Sequence, residues 1–387
     1  MPLRIVVGLP SFNEADTIAK VARDIDAGLV GLPFDAEALL VNADNSSTDG
    51  TPEAFPAAPT ISVKTVLTTG HQAGKGANWL AVLRLAADRG ADAVLLVDSD
   101  LAEVPDSWVH ALVGSVHEGA DFCFPLRPPT WNGGDLTYQL AYPLLAGTFG
   151  ANLREPLCGD IALSESAVKA VLAETWTASE LRFGVDFLVA SAAVTRSWQT
   201  VDLTYRRRNK LRSFSSNTDG DYRMGAKFAE VSDAIRHRVA LRLLQDPPDS
   251  LPSSRSATPS DVRTVSLHDN DIAELAVSTS RRLLADAHQG TLSSFPPALA
   301  DRLAHHATSA AAVRGLSWPD WRDCLFAWIM GRDTQGRRIP TELLETLFLN
   351  RVVGHHREIA GTADWYTTVV HQAEDVFAHR HELWAGQ

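Results

Sequence analysis

Two aspartates separated by one serine, Asp98-Ser99-Asp100, are the residues of this sequence whose types and spacing point most directly to chemistry. They follow the apolar run 93–97, which is typical of a strand buried on both faces. Side chains alternate along an extended segment, so we expect both carboxylates to point the same way at the carboxyl end of the strand. Open α/β sheets bind ligands at that end. Such a pair suits Mg²⁺ or Mn²⁺ bound to phosphate oxygens, although two aspartates that only cap a turn fit the same pattern.

Polar residues also follow the other strands that the sequence predicts. Apolar runs at 4–9, 38–41 and 61–67 predict three strands, and helices are predicted at 17–27 and 77–89. The first helix has cap candidates in Ser11 and Asn13. Strands that alternate with helices predict a parallel sheet whose loops gather at one edge. These loops carry the polar residues Asn13, Glu14, Asp16, Asp44, Asn45 and Lys75, and Lys75 is flanked by Gly74 and Gly76. Glycines beside a lysine let backbone N–H groups and an ammonium approach phosphate, so the set favours a nucleotide site over solvated loops.

The composition is that of a globular protein and limits its partners. Of 387 residues, 45% are hydrophobic and 21% are charged, and the formal net charge is −12. This charge argues against nucleic-acid or membrane-surface binding, and no apolar run approaches the roughly 18 residues that span a bilayer. The cysteines Cys123, Cys158 and Cys324 are widely spaced and form no C-x-x-C pair. They fit a reducing compartment, so we expect a cytoplasmic protein.

Three motifs resemble those of the large superfamily of GT-A glycosyltransferases. Residues 10–18 (PSFNEADTI) resemble its opening motif, residues 44–51 (DNSSTDGT) its second motif, and Asp98-Ser99-Asp100 its D-x-D motif. Further motifs resemble those of glucosyl-3-phosphoglycerate synthases. The mannosylglycerate synthases carry the same motifs in the same order. The matching residues are Arg127-Pro128, Gly133-Gly134, Thr137, Pro143-Leu144-Leu145, 155–160, 183–186 and Arg207-Arg208-Asn209. The resemblance, over about residues 3–215, implies an α/β fold of GT-A type: a Rossmann-like, mostly parallel sheet flanked by helices. It also implies a retaining transferase that uses a UDP- or GDP-sugar and a divalent metal.

The same resemblance implies roles for individual residues of this sequence. Nucleotide contacts are implied for Pro10, Phe12, Glu14, Asp44, Gly74, Lys75, Asp98 and Ser99. Asp100 is the implied ligand of Mg²⁺ or Mn²⁺. Catalytic roles, at the donor sugar or the leaving diphosphate, are implied for Asp160, Asp186 and Arg207. Acceptor contacts are implied for Arg127, Trp131, Gly134, Asp135, Thr137 and Tyr138. The structural alternatives are a helix N-cap for Asp160 and a surface helix carboxylate for Asp186.

Two departures from the family pattern change what we expect. The family's third metal ligand is a histidine in an H-R-N run, whereas this chain has Arg207, a permanent cation that cannot bind a metal. We therefore expect a weakened metal requirement. Asp135 stands where the phosphoglycerate enzymes carry an arginine. At about 4 Å, opposite rather than like charge is worth several kcal/mol at an effective dielectric constant of about 20, so phosphoglycerate should bind badly. A neutral or cationic acceptor suits Asp135, and nearby aromatic residues either assist it or pack the core.

The C-terminal part predicts a separate helical domain. Residues 246–259 are rich in Pro, Ser and Asp and are typical of a linker. Helical periodicity follows at 273–287, 297–312, 318–330, 341–359 and 363–381. We therefore predict a GT-A domain at 1–245, a linker at 246–264 and an all-α domain at 265–387. An apolar stripe that includes Leu344 and Val352 is either core or a dimer interface, and we expect a homo-oligomer, most simply a dimer.

The sequence therefore predicts a glycosyltransferase that moves a sugar from a nucleoside diphosphate to a small polar, non-phosphorylated acceptor. One alternative within the class is an S-glycosyltransferase that joins a GDP-sugar to a cationic thiol or thione such as ergothioneine, in natural-product assembly. A sugar nucleotidyltransferase is a second alternative, but it should show a Gly- and Arg-rich first loop, which residues 9–15 lack. A non-catalytic nucleotide-sugar-binding protein is the third.

Overall fold

A computed structural model describes residues 1–70, 74–126, 134–204, 224–252, 269–331, 338–360 and 365–386. The strands are β1 (Leu3–Ser11), β2 (Ala36–Asp44), β3 (Val63–Thr68), β4 (Ala93–Leu96), β5 (Phe122–Leu126), β6 (Ile161–Ser164) and β7 (Thr200–Thr204). The helices are α1 (Ile18–Val30), α2 (Thr51–Ala57), α3 (Lys75–Arg89), α4 (Asp106–His117), α5 (Tyr142–Phe149), α6 (Glu165–Leu172), α7 (Val185–Thr195), α8 (Ala226–Leu243), α9 (Asp269–Gln289), α10 (Pro297–Thr308), α11 (Ala311–Arg314), α12 (Trp318–Met330), α13 (Thr341–Ile359), α14 (Trp365–Ala378) and α15 (His381–Ala385). A π-helix spans Thr137–Ala141 and a 3₁₀ helix spans Thr291–Ser294.

The chain divides into two compact units. The first comprises Met1–Pro128, Glu155–Ser213 and Asp233–Ile235, and the second comprises Pro129–Arg154, Phe214–Ser232 and Arg236–Gln387. The domain limits expected from sequence, 1–245 and 265–387, stay a prediction.

The first unit is built on a seven-stranded mixed sheet. Its strand order is β3-β2-β1-β4-β6-β5-β7. The pairs β2–β3, β1–β2, β1–β4 and β5–β7 are parallel, while β6 runs antiparallel to both of its neighbours. The parallel half of the sheet, β1 to β4, is the part that the apolar runs predict. Together with the helical C-terminal region, this mixed sheet confirms the predicted fold class.

The strand β1 is buried on both faces, which explains its nearly continuous apolar sequence. Ile5, Val7 and Leu9 join the core that includes residues of α1 and α4. On the opposite face, Gly8 lies against α3, where an added Cβ would stand 2.7 Å from Val82 Cγ1. The glycine therefore lets α3 approach the sheet closely.

The start of α1 differs from the sequence expectation. Neither Ser11 nor Asn13 caps the helix, because Ser11 belongs to β1 and Asn13 has a left-handed backbone with φ of 56°. The backbone N–H groups of Thr17 and Ile18 instead donate to the carbonyl oxygen of Glu14 at 3.1 and 2.9 Å. A backbone turn thus takes the place of the predicted side-chain cap.

The second unit is helical apart from its connections. Helix α13 lies in its core, since Leu344, Leu347 and Phe348 are buried. The apolar stripe is therefore core rather than an exposed interface. The predicted helix 297–312 is divided, because α10 ends at Thr308 and α11 begins at Ala311.

The described residues bear on the expectations about membrane-spanning helices and about the cysteines. None of the helices in this part of the chain is long and apolar enough to span a membrane. Cys123, Cys158 and Cys324 are buried and none of the three forms a disulfide, and burial raises the pKa of Cys123 to about 12.

Candidate active site

The loops after β1 and β2 are joined through the carboxylate of Asp44. The Ser11 hydroxyl lies 3.1 Å and the Ser47 hydroxyl 2.5 Å from Asp44 Oδ1, and the Ser47 backbone N–H donates to Oδ2 at 2.8 Å. Ser47 Oγ also accepts the backbone N–H of Asn13 at 2.8 Å. Asp44 is itself buried, so it organises both loops while keeping only part of its acceptor capacity for a ligand.

A second carboxylate fixes the same two loops. Asp49 Oδ2 accepts the Ala15 backbone N–H at 3.0 Å, and Oδ1 accepts from the Thr51 hydroxyl at 2.5 Å. The Thr51 hydroxyl in turn accepts the backbone N–H of Glu14 at 2.7 Å. Burial works against the charge of Asp49, but the hydrogen bonds from Thr51 and Ala15 outweigh it and lower its pKa. The adjacent Phe12 is 53% exposed and leaves an aromatic face open to solvent.

Lys75 lies among carboxylates at the start of α3. Its Nζ is 2.9 Å from Asp186 Oδ1 and 3.3 Å from Asp98 Oδ1, and it stands 5.0 Å from the ring centre of Trp79. Burial opposes the charge of Lys75, but Asp186 and Asp98 outweigh it and raise its pKa. The side chains of Lys75 and Asp186 are only 15% and 12% exposed, which excludes a surface role for Asp186.

The D-x-D segment does not have the extended geometry expected from the sequence. Strand β4 ends at Leu96, and Ser99 and Asp100 lie in a turn, so the argument from alternating side chains is wrong. Asp98 is buried and its backbone N–H donates to Asp160 Oδ1 at 2.9 Å. The Ser99 hydroxyl donates to the carbonyl of Pro10 at 2.7 Å. The turn is therefore fixed by the end of β1 and by Asp160.

Asp160 is not the cap of the helix that follows it. Ser164 occupies the N-cap of α6, and its hydroxyl accepts the Ala167 N–H at 3.2 Å. Asp160 is fully buried beside the turn of Asp98 instead. Its charge also helps to raise the pKa of Lys75. Four of the predicted residues, Lys75, Asp98, Asp160 and Asp186, are thus brought together.

Gly76, which follows Lys75, packs against protein backbone. The backbone N–H groups of Gly76 and Ala77 donate to the carbonyls of Arg182 and Leu181 at 2.8 and 2.7 Å. A Cβ on Gly76 would stand 1.9 Å from the carbonyl oxygen of Glu180. The N–H of Gly76 is therefore engaged by protein backbone, while the nucleotide contacts predicted for Gly74 and Lys75 stay a prediction. Close approach of the 180–182 loop is what requires glycine here.

Gly159 is a site residue whose role the sequence reasoning missed. A Cβ at this position would stand 2.3 Å from Lys75 Nζ and 2.7 Å from Asp98 Oδ2. A side chain at residue 159 would displace the ends of Lys75 and Asp98, so glycine leaves room for their ion pair. Its position next to Asp160, in the motif 155–160, was the signal that could have indicated a role. One sequence does not show which neighbouring side chains a glycine must accommodate.

The described residues do not fit a metal held by three protein ligands. Among them no group of three or more His, Cys, Asp or Glu side chains is arranged to hold an ion. The carboxylate of Asp98 is engaged with Lys75, which leaves Asp100 as the candidate ligand in the D-x-D segment. Arg207 lies outside the described residues, as do Arg127 and Trp131.

The predicted acceptor residues that are described belong to the second unit. Thr137 and Tyr138 lie in the π-helix and are buried, and Tyr138 packs against Trp365 with ring centres 5.4 Å apart. Gly134 has φ of 105°, and Asp135 keeps 23% of its side chain exposed. Within 134–141, therefore, Gly134 and Asp135 form the accessible part. Tyr138, the aromatic residue nearest Asp135 in this segment, therefore packs in the core instead of lying beside an acceptor.

Comparison with family models finds one similarity. Residues 6–163, less than half of the 387-residue chain, match Glycosyl transferase family 2. This part of the chain is therefore similar to that family, and the match supports a glycosyltransferase activity.

Solved structures give similarities of modest extent. Glucosyl-3-phosphoglycerate synthase from Mycobacterium tuberculosis with Mg²⁺ and UDP is 23% identical with a TM-score of 0.48, over 64% of this chain and 81% of that chain. The same enzyme with Mn²⁺, UDP-glucose and phosphoglyceric acid is 24% identical with a TM-score of 0.48, over 64% and 82%. A mycobacterial protein is 25% identical with a TM-score of 0.42, over 62% and 74%. No curated protein matches. Similarities of this extent carry no assignment of donor, acceptor or metal.

Proposed function

We propose that the protein is a glycosyltransferase that binds a UDP- or GDP-sugar at the carboxyl ends of β1, β2 and β4. The observation that carries the proposal is the placement of Lys75 between Asp98 and Asp186. The ammonium of Lys75 holds these two carboxylates in place, and carboxylates accept hydrogen bonds from the hydroxyl groups of a sugar nucleotide. Asp160 fixes the turn of Asp98, so these charges are oriented before any ligand arrives.

The reaction that we propose is transfer of the sugar with retention. A hydroxyl oxygen of the acceptor bonds to the anomeric carbon, the nucleoside diphosphate leaves with the electron pair of the broken bond, and the hydroxyl proton passes to solvent. In this scheme Asp186 orients the donor sugar, Asp160 acts from behind it by fixing the turn of Asp98, and Arg207 offsets the charge of the leaving diphosphate. The exposed ring of Phe12 offers a face for the base.

A thermal-shift panel of UDP, GDP, ADP and TDP, each with and without Mn²⁺, tests the donor proposal. A ligand that binds only the folded protein raises its melting temperature. UDP or GDP is expected to raise it, and Asp186→Asn should reduce the rise. No rise with any of the four nucleotides contradicts the proposal.

We predict a weak metal requirement. Asp98 is engaged with Lys75, and the described residues supply no three-ligand set. Treatment with EDTA should therefore lower the turnover of a UDP- or GDP-sugar by less than about tenfold, measured as nucleoside diphosphate release. Activity that EDTA abolishes and that only Mn²⁺ or Mg²⁺ restores would contradict this prediction.

We further propose that the acceptor is small, polar and not phosphorylated. The support is Asp135, a partly exposed carboxylate in the segment to which the family resemblance assigns acceptor binding. A carboxylate repels phosphate where an arginine would attract it. Ergothioneine, a cationic thione, is the alternative acceptor that this charge favours.

3-Phosphoglycerate is predicted to be a poor acceptor. Transfer to it should run at least about tenfold below transfer to a neutral or cationic acceptor at equal concentration, because like charges repel. Product analysis by mass spectrometry measures both. Asp135→Asn removes the charge at nearly constant volume. In this variant the rate of transfer to 3-phosphoglycerate should come closer to the rate of transfer to the neutral or cationic acceptor. Efficient transfer to 3-phosphoglycerate by the unmodified enzyme would exclude the proposed acceptor class.

The compartment and the oligomeric state are proposals as well. Three buried cysteines without a disulfide suit a reducing compartment such as the cytoplasm. The homodimer expected from the sequence stays a prediction, which size-exclusion chromatography with light scattering would test.

A further inference from the structure

A π-helix, Thr137–Ala141, forms the larger part of the segment 134–141, and polar groups within it bond to other helices of the second unit. π-Helices are rare and appear mostly as short insertions, frequently at functional sites. The carbonyl of Gln139 accepts from Trp321 Nε1 at 2.6 Å, so one partner comes from α12. The Gln139 side chain, which is fully buried, donates from Nε2 to Gln372 Oε1 at 3.1 Å and so joins α14.

Helix α13 supplies a charged contact to this π-helix. Arg351 is fully buried, and its Nε donates to Gln139 Oε1 at 2.9 Å. Its remaining N–H groups donate to the carbonyl of Leu316 at 2.8 Å and to both carboxylate oxygens of Glu358. The charge of Arg351 is thus balanced within its own helix, and its role toward Gln139 is geometric.

The same helix holds the accessible end of the segment. His356 Nε2 lies 3.0 Å from Asp135 Oδ1, and only 5% of the His356 side chain is exposed. A carboxylate oxygen accepts hydrogen bonds, so Nε2 carries the proton. Burial lowers the pKa of the neighbouring His355 well below its usual value, with Arg351 and His356 acting in the same direction. His355 is therefore neutral and does not compete for Asp135.

We propose that α13 is the element that fixes the acceptor-binding conformation of 134–141, with His356 as the positioning residue for Asp135 and Arg351 as the positioning residue for Gln139. This inference rests on the proposed function, because that proposal gives 134–141 its acceptor role. Two contacts five residues apart on one helix hold both ends of the segment. The acceptor class that such a fixed carboxylate suits is a small compound with neutral hydroxyl or cationic groups.

Hydrogen exchange measured by mass spectrometry tests whether α13 holds the segment. His356→Leu removes the contact with Asp135 at similar volume, whereas His356→Gln keeps an N–H donor. His379→Gln is the matched control, because it breaks another His–Asp pair of the same unit, His379 Nδ1 to Asp375 Oδ1 at 3.3 Å. We expect exchange in peptides of 134–149 to become about tenfold faster in His356→Leu and to stay within about twofold in the other two.

The functional readout is the partition of a donor sugar between glycerol and water. With UDP-glucose and GDP-mannose as donor probes, His356→Leu should lower the ratio of glycerol glycoside to free sugar about tenfold through a higher KM for glycerol. It should leave hydrolysis and UDP or GDP affinity within about twofold, because water needs no positioned partner. His356→Gln should restore the ratio, a rescue that a purely structural role would not require.

The outcomes separate this inference from the proposed function. Unchanged exchange and an unchanged partition ratio in His356→Leu overturn the positioning role. An enzyme that binds UDP or GDP and hydrolyses the sugar nucleotide but forms no glycerol glycoside also overturns it. A wild type that binds neither nucleotide overturns the proposed function, whereas the exchange data still decide whether α13 holds the segment.

Discussion

Replacing Lys75 with methionine should destabilise the protein by about 3–5 kcal/mol, because it leaves the carboxylates of Asp98, Asp160 and Asp186 together without their cation. The loss is large because these groups are mostly or fully buried and water cannot replace the ammonium. Urea denaturation followed by circular dichroism measures the free energy of unfolding. Turnover of the sugar nucleotide should fall at least about 100-fold, since the oriented carboxylates lose their fixed positions.

The matched control for this variant is Lys169→Met. Lys169 pairs with Glu165 at 2.5 Å, but the two side chains are 64% and 47% exposed. Its loss should cost less than about 0.5 kcal/mol and leave turnover unchanged. Equal stability of the wild type and Lys75→Met would show that Lys75 is not held as the structure describes.

The pH dependence of the Lys75 effect follows from the direction of its pKa shift. The pKa of Lys75 is raised in the folded protein above its ordinary value of 10.5. The stabilisation is therefore fully present below pH 10.5 and is lost only as the pH rises through the higher folded-state pKa. Between about pH 7 and pH 9, therefore, titration of Lys75 should not reduce the difference in the free energy of unfolding between the wild type and Lys75→Met.

Gly76→Ala should be the second most damaging change, with a cost of about 3 kcal/mol in the free energy of unfolding. Its Cβ would stand 1.9 Å from the carbonyl oxygen of Glu180, a backbone atom that cannot move aside alone. The 180–182 loop or the start of α3 must shift, and Lys75 shifts with it. Both thermal stability and turnover should fall.

Gly114→Ala is the matched control for this substitution. Gly114 lies inside α4, and an added Cβ there meets no atom within 4 Å among the described residues. Alanine is a better helix former, so Gly114→Ala should stabilise the protein by about 0.5–1 kcal/mol. Similar effects of the two substitutions would contradict the packing that we describe around Gly76.

The sequence predicts the parallel half of the sheet well because its signals are local. Runs of apolar residues followed by polar loops mark β1, β2 and β3, and the predicted bounds lie within two or three residues of those observed. The grouping of Lys75 and Asp98 also follows, since carboxyl ends of parallel strands share one edge. Strand β6 is antiparallel, and nothing in its four residues indicates that direction.

The sequence does not predict features that depend on distant partners. A glycine at position 76 fits close approach of phosphate and close approach of the Glu180 backbone equally well. Gly76 and Glu180 lie 104 positions apart, so the local sequence does not indicate which of the two occurs. The π-helix likewise depends on Arg351 and Gln372, which bond to Gln139 across 212 and 233 positions. Local propensity carries no information about such contacts.

A crystal structure of the protein soaked with UDP would test the central claim most directly. We predict that the diphosphate lies within hydrogen-bond reach of the loops after β1 and β4, close to Lys75 and to the turn that carries Asp98 and Asp100. UDP bound on another face of the sheet, with no contact to these loops, would contradict the proposed donor site.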